Sequence, residues 1–147
     1  MALALALGRA KRRSATDACD DGGMNPLRAC LVVDSITEAV GRGAGAVAVS
    51  GSHGGVSSAL FAAQAKVQVA VFNDAGMGRE RAGIAGLAML QARGIAACTV
   101  SHDSARIGDA ASTLHDGVIS HANAAAAALG ATAGVRLRDW LVTLPSQ

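Results

Sequence analysis

From Leu27 onward the chain repeats one phrase. A short apolar run rich in β-branched residues is followed by a cluster of glycine and small polar residues, then by an alanine-rich stretch. The apolar runs are Ala29–Val33, Ala46–Val49, Val67–Phe72 and Ile95–Val100. They show no alternation of apolar and polar residues, so strands made from them need cover on both faces. Such strands, separated by helical stretches, imply a parallel sheet between layers of helix. The expected fold class is α/β: a single-domain three-layer sandwich with a mostly parallel sheet of about four to five strands.

The intervening stretches supply the helices. Ser35 and Glu38 have capping-box spacing and predict a helix from Ile36 to about Gly41. Further helices are expected over Ser57–Lys66, Arg79–Arg93, Ala110–Leu114 and Val118–Leu129, with Gly94 and Gly130 in stop positions. Asp116-Gly117 reads as a turn. Val135–Leu144 fits either an edge strand or an amphipathic end.

A chain of 147 residues fits one domain. Its apolar fraction of 51% comes largely from alanine and valine, with one Trp, two Phe and no Tyr. Small side chains let helices approach a sheet closely but fill little volume, which favours a homo-oligomer as a way to bury more surface. The net charge of +2 is too balanced for a nucleic-acid footprint. No apolar run approaches the roughly 20 residues of a membrane span, so no membrane association is expected. Cys19, Cys30 and Cys98 contain no C-x-x-C pair, which points away from zinc motifs and disulfide frameworks and suits a cytoplasmic setting.

Residues 1–23 differ from the rest. Met1–Leu7 is apolar and a basic cluster (Arg9, Lys11, Arg12 and Arg13) follows it, the reverse of a secretory signal. We read 1–23 as a disordered N-terminal extension and 24–147 as the domain. Without the extension 9 basic and 8 acidic residues remain, so the charge argument is unchanged.

Right-handed crossovers bring the loops after parallel strands to one sheet edge, where ligands bind when the strand order reverses. In the cluster Ser50–Gly55, glycines allow close backbone approach, and the next helix offers free amides. His53 is the candidate general acid/base, Ser52 a hydrogen-bonding partner, and the Gly54 and Gly55 amides candidate stabilisers of negative charge. After the third run, Asn73 is a candidate substrate ligand and Asp74 a candidate assistant to His53, though Asp74 equally suits an Asx-turn. After the fourth, Ser104 is a candidate catalytic hydroxyl and Arg106 a two-pronged carboxylate anchor, unless Arg106 pairs locally with Asp109. His121 and Asn123 are expected at the start of the late helix.

Gly76, Gly78 and Gly83 miss the dinucleotide spacing, so no nicotinamide cofactor is expected. His53, His102, Asp74 and Asp103 are suitable types for zinc or manganese, but they lack a metal-ligand spacing, so no metal is expected either. The leading functional expectation is a small hydrolase or lyase acting on a small polar carboxylate or amide. The alternative is a non-catalytic module that binds a small anion or phosphometabolite. A third possibility is a subunit whose site is completed by a neighbour.

Overall fold

The computed structural model describes residues 30–145, and the proposed extension lies outside them. Five strands run in chain order: β1 (Cys30–Val33), β2 (Val47–His53), β3 (Val69–Asn73), β4 (Ala96–Val100) and β5 (Ile119–Ala122). They form one sheet in the order β1-β2-β3-β4-β5, with the first four parallel and β5 antiparallel to β4. The helices are α1 (Val56–Ala65), α2 (Gly86–Ala92), α3 (Ala110–Asp116), α4 (Ala124–Ala128) and α5 (Leu137–Leu141). A 3-10 turn, Ile36–Ala39, joins β1 to β2 and carries the capping box expected at Ser35 and Glu38.

Alternate strand residues feed two cores. Val49, Val71, Cys98 and Val100 pack on one face with Leu114, Leu137, Trp140 and Leu141. Ala48, Ala70, Phe72 and Ala97 pack on the other with Ile36, Ala59, Ala62, Leu87 and Leu90. The strand order explains this division. Crossovers of one hand that always step in the same direction stay on one face. The 3-10 turn, α1 and α2 therefore form one layer, and the chain after β4 supplies the other. Small residues let the first layer sit close. A Cβ at Gly86 would lie 2.5 Å from the Gly55 carbonyl oxygen and 2.7 Å from the Ala59 methyl.

Two helix expectations need correction, and one open reading is resolved. Val118–Leu129 is not one helix but β5, a buried Asn123 and the short α4. Asn123 makes the break. Its Oδ1 accepts from Ala97 N–H on β4 and from Ala126 N–H in α4, both at 3.0 Å. Asn123 thus does stand at the start of a helix, whereas His121 lies in β5. Arg79–Arg93 is also divided. Glu80 and Arg81 have positive φ (54° and 60°), so regular helix begins only at Gly86. Finally, Val135–Leu144 divides its two readings: Arg136 bridges to Val118, and α5 then buries Leu137, Trp140 and Leu141.

Candidate functional site

At the end of β2 the register with β3 slips. Val49 pairs with Val71, but His53 pairs with Asn73. The displaced Gly51 is pinned on both sides, donating to Asp34 O at 3.1 Å and accepting from Gly108 N–H at 2.8 Å. His53 then emerges exposed at the N-terminal end of α1, on the wall of a cleft of about 420 Å³. Gly55 and Val56 at the start of α1 line this cleft, facing Met77, Ala82 and Ala85. Its volume falls within the ordinary range of small-molecule sites, roughly 300–1,000 Å³.

One hydrogen bond defines the chemistry of His53. The Gly55 amide donates to Nδ1 at 3.0 Å, and the Ser58 hydroxyl lies 3.5 Å from the same nitrogen. Nδ1 must therefore present its lone pair, which places the proton of the neutral ring on Nε2. In this tautomer the free edge of the ring is a donor. The first helical bond of α1 is Ala59 N–H to Gly55 O, so the amides of Val56, Ser57 and Ser58 precede it and have no intrahelical acceptor.

The other sequence candidates are largely occupied by structural bonds. Gly54 N–H donates to Asn73 O, and Gly55 N–H is held by His53, so neither amide is free for a ligand. Ser52 Oγ accepts from Ile36 N–H at 2.9 Å. Asn73, fully buried, donates to Ala105 O and accepts from Ala75 N–H. The Ser104 hydroxyl donates to Ser101 O and accepts from Val118 N–H, both at 2.9 Å. Arg106 does not line the cleft; its exposed guanidinium pairs with Asp109 at 3.2 Å. The loop carrying it docks on Gly51, where a Cβ would collide with the backbone of Gly108 and Asp109.

Asp74 does not line the cleft that His53 does. Its Oδ1 accepts from Gly76 N–H at 2.8 Å and from His102 N–H at 3.0 Å, so it ties the loop after β3 to the loop after β4. Burial pushes the carboxyl pKa up. Hydrogen bonds from Gly76, Ser120 and His102, with the His102 charge, outweigh burial and hold it below its usual value of 3.8. Asp74 is therefore ionised at neutral pH. The His102 ring, half exposed, has Nδ1 3.5 Å from this carboxylate and Nε2 3.3 Å from Asp103. The sequence marks His102 as a possible metal ligand and gives it no pairing role. The signal for pairing was its place at the end of the strand next to the one preceding Asp74.

Arg79 and Arg81 were concealed by the expectation of a regular helix. They flank Glu80 in the wall segment between Gly78 and Ala82, are exposed, and form no ion pair with a described residue. Among the described residues no cluster of three or more His, Cys, Asp or Glu side chains is placed to hold a metal. Cys30 and Cys98 are buried, and burial pushes the Cys98 thiol up to about 12, leaving it protonated and unreactive. No family model, curated protein or solved structure matches the chain.

Proposed function

We propose that this domain binds a small organic carboxylate in the His53 cleft without acid–base turnover. The carrying observation is the Gly55 N–H bond to Nδ1, which leaves Nε2–H as a fixed donor for a ligand oxygen. The opening amides of α1 add positive potential at the same wall, and Arg79 and Arg81, with Glu80 between them, stand exposed in the segment that joins the lining residues Gly78 and Ala82. Val56, Ala75, Met77 and Ala82 offer an apolar surface for a short aliphatic body. Of the side chains lining the cleft, only His53 can exchange a proton, and no base stands beside it.

A screen of aliphatic carboxylates by amide NMR tests this reading. Shifts should cluster at Gly55, Gly78 and Ala82. His53→Ala should weaken binding about tenfold, the worth of one hydrogen bond to a charged group, and Arg81→Ala should weaken it more at low salt than at high salt. Absence of binding across the series, or shifts centred elsewhere, overturns the proposal. The hydrolase or lyase reading stands second and draws on the Asp74–His102 pair. Turnover lost in His102→Ala but retained in His53→Ala would favour it.

A further inference from the structure

The loop that folds back before α2 departs from the backbone its own residues prefer. Ala75, Met77, Glu80 and Arg81 all have positive φ, between 53° and 69°, a region that is unfavourable for L residues. Two of them are held there directly. Ala75 N–H donates to Asn73 Oδ1 and Met77 N–H donates to Asp74 O, both at 2.7 Å. Glu80 and Arg81 have exposed side chains, and the Arg81 amide reaches Gly78 O only at 3.4 Å. Both are good helix formers, and the sequence pattern predicts regular helix from Arg79. The pair is therefore left-handed against its local preference. Strain of this kind gathers at ligand clamps and switch regions.

The base of the loop is fixed. Gly83 N–H donates to Met77 O at 2.8 Å, so residues 78–82 form a flap clasped at both ends. Gly83 is buried, and Gly86 N–H is tied to Gly54 O at 2.8 Å. Gly78 is the pivot, with φ 62° and ψ −163°, a region essentially reserved for glycine. We propose that residues 78–82 are a two-state flap that governs the cleft: left-handed at Glu80 and Arg81 when the cleft is formed, right-handed when it is released. Turning the pair right-handed changes the course of the chain between Gly78 and Ala82, the two flap residues that line the cleft with His53. The cleft as formed thus belongs to the left-handed state, and a ligand that fits it selects that state. The flap stands apart from what the cleft binds; its part in binding rests on the carboxylate reading.

Relaxation dispersion of the backbone amides of the full chain tests it, because it reads microsecond to millisecond exchange. The parent should show exchange at residues 78–82 and none at Asn73 or Gly86. Glu80→Gly, which relieves the left-handed backbone, should suppress that exchange and raise the thermal midpoint by a few degrees. Gly78→Ala should enlarge the exchange and weaken butyrate binding about tenfold, as the competent fraction falls to about a tenth. A Cβ at Gly78 meets nothing within 4 Å, so this variant acts through the backbone alone. Saturating butyrate should quench the exchange of the parent. A Glu80→Gly midpoint at or below that of the parent overturns the proposal, and so does exchange absent from both the parent and a folded Gly78→Ala. Exchange that persists while butyrate shifts the Gly55 amide overturns the flap's control of the cleft. Exchange that answers to both variants in a protein binding no carboxylate supports the flap and overturns the carboxylate reading alone.

Discussion

The carboxylate of Asp74 receives amides from two different loops, and this makes it a residue whose role follows pH. Its folded pKa is depressed, so its stabilising contribution is complete above the ordinary carboxyl value of 3.8 and is lost as pH falls through the lower folded value. The thermal midpoint of the parent should therefore decline below about pH 4. Asp74→Asn should be less stable than the parent at neutral pH, with the gap narrowing in acid. A gap that stays constant from neutral pH to acid would show that the charge is immaterial. The same two bonds answer to the Asx-turn reading that the sequence leaves open beside the catalytic one. A strand-end Asp fits a general base or a loop tie equally well in one dimension. Which it is depends on where the neighbouring loop puts its amides.

The break between β5 and α4 depends on one side chain. Asn123 satisfies its full capacity: Oδ1 accepts from Ala97 and Ala126, and Nδ2 donates to Leu87 O at 3.1 Å and Ile95 O at 3.0 Å. Asn123→Leu should cost roughly 3 kcal/mol or more, because several buried backbone groups lose their partners together. Urea unfolding checks this, and a loss under 1 kcal/mol would mean that the strand and helix meet without it. The first four strands and α1 were legible because continuous apolar runs and alanine-rich stretches have distinct periods. β5 was not, because Val118–Leu129 is rich in alanine and its strand is only four residues long. The kink at Glu80 and Arg81 escaped for the opposite reason. Neither residue favours positive φ, and the surrounding loop imposes it. In the site, His53 was legible as a polar residue at a strand end. Its tautomer and the diversion of Arg106 were not, since both depend on contacts made by folding.

The strand order also corrects a premise of the sequence argument. It never reverses, so the cleft is not a crevice at a switch in topology. It is formed instead by the start of α1 and the folded-back loop before α2. The two cores share strands β1 to β4 of one sheet, so neither layer has a hydrophobic support of its own. Unfolding should therefore be a single transition. Trp140, whose indole donates to Leu129 O at 3.0 Å, reports the α3/α5 layer by fluorescence. A fluorine-labelled Phe72 reports the other layer by NMR. Their denaturant midpoints should coincide, and separated midpoints would reveal layers that melt independently.

During synthesis, an order of 1-2-3-4-5 means that each strand pairs with the one made before it. No strand has to wait for a later partner or be inserted between two already paired. The nascent chain can therefore lay down its sheet outward from the ribosome, one unit at a time, closing only moderate loops at each step. The consequence is that the newest edge stays open and sticky until the next unit arrives. The last parallel edge, β4, is relieved only when β5 turns back along it, late in the chain. A nascent chain that has emerged only to a point between Val100 and Ile119 would hold out four parallel strands with the β4 edge uncovered.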